Sequence, residues 1–185
     1  SIHHGWTEMG QGVFTMAVQF LCEATGVDPD YVKVKVDTSK DAPCGMTTAS
    51  RGTSLIGNSV LDAGKKLKAD LEKHSLTELV GREYIGEWSC TWTTAIEDNL
   101  EEPKTHYSYS YATQVVTLDD SGKVDTVYAA HDAGRIVNPI LFEGQLEGSV
   151  HMGLGYALSE NFEMEESRPV HTKFGKLGMI RAAAP

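Results

Sequence analysis

The chain has 185 residues, a formal net charge of −10, 41% hydrophobic and 23% charged residues, a balance that supports one packed domain or two small lobes and excludes a disordered chain. The negative charge argues against nucleic acid or an anionic membrane surface as a partner, and no apolar run approaches the roughly 20 residues that a bilayer requires. A phosphorylated small molecule stays open, because backbone N–H groups at helix starts hold phosphate without Lys or Arg.

Gly10-Gln11-Gly12 opens a stretch in which Val13, Ala17, Phe20, Leu21 and Ala24 recur at helical spacing, with Gly26 as its stop. Asp28-Pro29-Asp30 is a turn. Val32, Val34 and Val36 alternate with Lys33, Lys35 and Asp37, which predicts a half-buried strand. A loop runs from Thr38 to about Gly52 and holds Pro43, Gly45 and five Ser or Thr residues. A second helix is predicted over about 53–73, with Leu55, Ile56, Val60, Ala63, Leu67 and Leu71 on its apolar face. A short helix over 76–80, started by Ser75, follows.

Residues 84–94 carry the aromatic and β-branched content of a strand, and 97–105 are acidic and polar, the composition of an exposed loop. Tyr107, Tyr109 and Tyr111 alternate with Ser108 and Ser110 and lead into Val115-Val116; Asp119-Asp120-Ser121-Gly122 is a hairpin turn, and a strand returns over 124–130. A third helix begins near Asn138, with Pro139 at its first position and Leu141, Phe142, Leu146, Val150 and Leu154 on one face, ending at Gly155 or soon after. The tail from 159 is polar with extended pieces. This order predicts an α+β fold with helices packed on a mostly antiparallel sheet, spanning 1–185 with sub-lobes 1–80 and 81–185. Cys22, Cys44 and Cys90 are scattered without a CxxC, which fits a reducing cytoplasm. Neither the start, Ser1-Ile2-His3-His4-Gly5-Trp6, nor the end, Ala182-Ala183-Ala184-Pro185, looks natural, so both are expected to be edges of something longer.

The three helices share one device. Each opens after small and polar residues: 7–12 for the first, 45–53 for the second, and His131-Asp132-Ala133-Gly134 with Asn138-Pro139 for the third, which carries Gly144, Gln145 and Gly148 inside it. Helix starts present unpaired N–H groups and partial positive charge. Glycine admits a close ligand and Ser or Thr add hydroxyl donors. Three such starts converging would bind an anion. Each alone reads equally as a cap or tight turn, with Gln11 and Gln145 as ordinary satisfied amides and Gly144 and Gly148 as close-packing positions. No GxGxxG or GxxxxGK[ST] is present, and the seven histidines form no ligand-spaced cluster.

The strings themselves carry a resemblance. Gly5-Trp6-Thr7-Glu8-Met9-Gly10-Gln11-Gly12 resembles the GGTEMGQG segment of the xanthine dehydrogenase and aldehyde oxidase family. Thr47-Thr48-Ala49-Ser50-Arg51 is similar to its T-x-A-S-R stretch. Asp132-Ala133-Gly134, Asn138-Pro139, Glu143-Gly144-Gln145-Leu146-Glu147-Gly148 and Gly153-Leu154-Gly155 are similar to its D-x-G, NP, GQ-x-EG and GLG series. The segment 171–178 resembles the selenium-dependent branch. The resemblance implies molybdopterin with molybdenum, in the cytosine dinucleotide form, with no protein side chain on the metal. It implies Gly10, Gln11 and Gly12 against the cofactor's pterin, phosphate or nucleotide portion, Ala49, Ser50, Arg51, Gly52 and Thr53 as a second cradle on its phosphate or nucleotide side, and Gln145 reaching the pterin close to the molybdenum.

It further implies hydroxylation of a purine-like aza-heterocycle or an aldehyde with oxygen from water. The partners implied are the remaining half of the molybdopterin domain and 2Fe-2S and FAD domains or subunits. The family's catalytic Glu, in a G-V-G-E segment, has no match here, so no catalytic residue is assigned and the chain alone is expected to be inactive. The alternative is a non-catalytic cofactor-binding or assembly module of the same family.

Overall fold

The structure, a computed structural model, describes residues 1–37, 39–40, 42, 44–106 and 108–181; the expectations that fall on Thr38, Pro43, Tyr107 and 182–185 lie outside the described residues. The chain divides into two compact units, Ser1–Tyr109 and the chain from Ser110 onward.

The first unit is built on two helices, α1 (Val13–Thr25) and α2 (Gly52–Leu71). The helical spacing of apolar residues in each gives one buried face: Val13, Met16 and Ala17 on α1, Ile56, Gly57, Val60 and Gly64 on α2. Gly52 faces Val13, Gly57 faces the Phe20 ring and Gly64 faces Ala24, so the helices run parallel with their starts abreast. Glycine is what allows this approach, since a methyl at 57 would stand 2.7 Å from the Phe20 ring. α1 ends at Gly26, whose left-handed backbone returns its N–H to the Cys22 carbonyl. Trp6 and Leu79 complete the core, each burial of this kind stabilising by roughly 1.5–3 kcal/mol.

The predicted strand over 32–36 is reduced to β2 (Val34–Lys35), which pairs in parallel with β1 (Ile2–His3). Pairing stops where the two-residue partner stops, and Val36 is left 69% exposed. The predicted short helix over 76–80 is a single capped turn. The Glu78 carboxylate accepts from the Ser75 N–H and hydroxyl, Leu79 N–H reaches the Ser75 carbonyl, and left-handed Gly81 ends the run before a second turn can form.

The predicted strand over 84–94 forms no regular strand: among the described residues 84–90 pair with no strand, and the chain bends at 91–93. Its alternation is real: Tyr84, Gly86, Trp88 and Cys90 are half-buried while Ile85, Glu87 and Ser89 are exposed. The surface it lies on is α2. Lys66 Nζ donates to the Ile85 carbonyl at 2.7 Å, Glu87 N–H to Asp62 at 3.1 Å, and the Tyr84 hydroxyl and Arg82 both donate to Asp70 at 2.8 Å. For this reason the first unit extends past residue 80, where the sequence invites a lobe boundary.

In the second unit, β3 (Tyr111–Leu118) and β4 (Val124–Asp132) form an antiparallel hairpin with a register shift at Thr117/Leu118. Its turn is the predicted one: the Asp119 carboxylate accepts from the N–H groups of Ser121 and Lys123, and Gly122 is left-handed. Tyr109 precedes the strand. α3 (Pro139–Leu158) starts on Asn138, whose side chain accepts from Leu141 N–H, and runs three residues past Gly155. Leu141, Phe142, Leu146, Val150 and Leu154 are its half-buried stripe. The tail contributes the antiparallel pair β5 (Met164–Glu165) and β6 (Arg168–Pro169). The fold is α+β as expected; among the described residues three separate two-stranded sheets, two of them antiparallel, stand in place of one. No helix among the described residues is long and apolar enough to cross a membrane.

Candidate functional site

Two of the three glycine-rich starts come together in the first unit. The Thr7 N–H donates to the Thr47 hydroxyl at 3.0 Å, tying the loop before α1 to the loop before α2. Parallel packing then sets both helix starts, and the partial positive charge of both, at one end.

The α1 start is already occupied. Glu8 Oε1 accepts from Gly10 N–H at 2.9 Å and Gly12 N–H at 3.0 Å, and Oε2 accepts from Phe14 N–H at 3.1 Å. Burial pushes the Glu8 carboxyl up, but the N–H groups of Phe14, Gly12, Gly10 and Val13 outweigh it and hold the group below its ordinary value. Gln11 is satisfied within its own loop: its Oε1 accepts from Met9 N–H at 2.6 Å and its Nε2 donates to the Thr7 carbonyl at 2.7 Å. Beside it, the His4 ring packs edge-on to Phe14 and accepts Trp6 N–H on Nδ1, while its buried Nε2 has no partner among the described residues. Burial lowers the His4 pKa, and Glu8 pulls it the other way.

The α2 start differs. Its N-cap, Arg51, makes no side-chain cap, and its first turn has no acidic residue. Ala49 and Ser50 stand before it with φ of 55° and 51°, a left-handed backbone that side-chain-bearing residues seldom adopt and that costs of order 1–3 kcal/mol each. Ser50 and Thr53 are exposed. The Arg51 guanidinium is turned back into the loop, donating to the Met46 carbonyl at 2.7 Å and lying 5.6 Å from the centre of the Trp6 ring, while its buried Nε has no partner among the described residues. A methyl on Gly45 would strike it at 2.7 Å. A carbonyl and an indole face hold Arg51.

Gln145 belongs to the second unit, exposed on α3. A methyl on Gly144 or Gly148 would meet nothing within 4 Å, so these glycines do not serve a close contact among the described residues. The Asp132 carboxylate accepts from left-handed Gly134 N–H, and the buried His131 Nε2 has no partner among the described residues.

Sequence reasoning left out Glu8 and Thr47. Glu8 had a signal: an acidic residue within reach of the first turn of an amphipathic helix. Thr47 had none, because its bond spans 40 residues.

A family model described as the molybdopterin cofactor-binding domain matches residues 1–184. A Bacillus subtilis (strain 168) protein named as part of a probable xanthine dehydrogenase is 26% identical over 89% of this chain and 26% of that protein. The aldehyde oxidoreductase of Megalodesulfovibrio gigas is 28% identical over 88% of this chain and 20% of that protein, and the xanthine dehydrogenase of Drosophila subobscura is 28% identical over 100% and 14%. The chain thus spans about a quarter or less of the curated relatives it matches. A crystal structure of the Cu,Mo-CO dehydrogenase in its carbon monoxide reduced state shares the fold, with a TM-score of 0.69 at 22% identity over 97% of this chain and 27% of that one.

Proposed function

We propose, from the premise that the chain belongs to the molybdopterin cofactor-binding domain family of the xanthine dehydrogenases and aldehyde oxidases, that its α2 start cradles the phosphate side of a molybdenum cofactor within a larger oxidoreductase. The carrying observation is the contrast between two helix starts set abreast: α1 is filled by a carboxylate, and α2 has neither side-chain cap nor first-turn acid. The donor set at α2 fits an anionic group. The first-turn N–H groups of Gly52 and Thr53 sit at a positive helix end, the hydroxyls of Ser50 and Thr53 add donors, and Arg51 lends its charge from behind while its bonds to Met46 and Trp6 hold the loop. Left-handed Ala49 and Ser50 turn the chain into that start.

Gly10 and Gly12 serve as wall, since Glu8 takes their N–H groups, and Gln11 reaches a ligand by giving up its two loop bonds. Gln145, exposed on α3 beside the open space at Gly144 and Gly148, would bind the pterin through its amide. When bound, the cofactor supplies the redox chemistry for hydroxylating an aza-heterocycle or an aldehyde with oxygen from water; this chain binds and orients it. The cofactor is the cytosine dinucleotide form, electrons leave through 2Fe-2S and FAD partners, and the catalytic carboxylate comes from outside this chain. The tail over 171–178 favours the selenium-dependent branch, and the enzyme works in the cytoplasm.

The substitution Thr53→Glu tests the cradle, because it seals α2 as Glu8 seals α1. A carboxylate in a helix's first turn stabilises by about 0.3–1 kcal/mol, so the melting temperature should hold or rise. Molybdenum, measured by elemental analysis of the protein purified with its partners, should fall about tenfold or more, and phosphorus by the share not held by FAD. Undiminished molybdenum in that variant would remove α2 as the cradle.

A further inference from the structure

The family reading assigns no role to Glu8, yet its carboxylate is the most heavily used acceptor at either helix start. One side chain accepts from Gly10, Gly12 and Phe14. These are groups that an external phosphate would otherwise take, since α1 has no other side-chain cap. Parallel packing also sets two positive helix ends side by side, and Glu8 compensates one of them. Both oxygens are engaged, so a glutamine could satisfy only one part of the set and would turn an NH2 group toward another N–H.

We propose that Glu8 is a positioning residue, the resident anion of α1, which closes that helix start to phosphate, directs an incoming phosphate group to α2 alone and holds the 7–12 loop in one shape. The direction to α2 rests on the reading above, whereas the closure of α1 does not. The α1 start is therefore a phosphate-competent helix end kept shut by a covalently attached competitor.

Inorganic phosphate is the probe, and thermal stabilisation of the purified full chain is the readout. In Thr53→Glu protein, with both starts sealed, phosphate should give no specific stabilisation. Adding Glu8→Gln should restore a saturable stabilisation by phosphate that Thr53→Glu alone lacks, because one helix start is then free to take an anion. Glu8→Asp in the same background keeps the charge and should reduce the response relative to Glu8→Gln. A merely structural glutamate would make Glu8→Gln lower the melting temperature equally with and without phosphate, and that result overturns the proposal. Should the double variant fail to fold, the single Thr53→Glu protein decides: a phosphate response with Glu8 in place contradicts the closure of α1. Molybdenum and phosphorus in the wild-type protein report separately on the cofactor reading, so the failure of either idea is visible without the other.

Discussion

Replacing Gly86 by alanine is expected to lift residues 82–88 off α2. A methyl there would overlap the Ser59 carbonyl oxygen and stand 2.9 Å from the Ala63 nitrogen and Cβ. The obstacle is helix backbone, which cannot swing aside as the end of a side chain can. Lifting the segment releases the bonds from Lys66 to the Ile85 carbonyl, from Glu87 N–H to Asp62 and from the Tyr84 hydroxyl to Asp70. Forcing a methyl into a packed contact costs about 1–3 kcal/mol, and the reduced freedom of the unfolded chain returns about 0.4–1 kcal/mol. A backbone obstacle argues for the upper part of the first range, giving a net loss of about 2 kcal/mol. For a unit of this size each kcal/mol moves the midpoint by roughly 4–8 °C, so the first unit should melt about 10 °C lower. Tryptophan fluorescence during thermal unfolding is a suitable assay, since half-buried Trp88 lies in the same segment. A decrease below about 2 °C would mean that residues 82–88 do not hold to α2 as a seated strap.

Acid should destabilise the first unit in two steps. The folded pKa of His4 is depressed by burial, so its contribution is complete above the ordinary 6.5 and is lost as pH falls through the folded value. That of Glu8 is depressed by its backbone donors despite burial, so its contribution is complete above 4.5 and is lost at still lower pH. Urea midpoints from about pH 8 to about pH 3 should show both limbs, with Glu8→Gln shrinking the lower, to which Asp37, Asp62, Asp70 and Glu78 also contribute; an unchanged lower limb in that variant would assign it to those groups alone. Gly148→Ala places a methyl in open space on α3 and should stabilise the helix by up to about 1 kcal/mol, while lowering the molybdenum content of the complete protein if that face meets the cofactor. Unchanged molybdenum content would argue that the face is free.

Where burial follows from a chain's own period, the fold was legible. The stripes of α1, α2 and α3 and the turn at 119–122 need only local spacing and one carboxylate two residues from the N–H it accepts. The extended segment at 84–94 was legible as alternation but not as a partner, because a period of two marks a surface with one covered side and does not say whether a sheet or a helix covers it. β1 was not legible at all, since two residues carry no period and their pairing with Val34 and Lys35 is set by packing some 30 residues away.

The candidate site shows the same division at finer scale. Sequence spacing marks 7–12 and 45–53 as equivalent glycine-rich entrances, and the helices they open run parallel. Their chemistry diverges on one side chain's reach: Glu8 folds forward onto its own helix, while Arg51 at the other start folds back onto Met46 and Trp6. A carboxylate aimed at α1 leaves that end neutralised, and a cation withdrawn behind α2 leaves that end positive and uncapped. Two like-signed helix ends abreast repel one another, and a counter-charge already carried by one leaves the other as the end that attracts an anion. In the proposed arrangement, the asymmetry between Glu8, four residues before Gly12, and Thr53, one after Gly52, makes one directed binding end of a pair of helix starts.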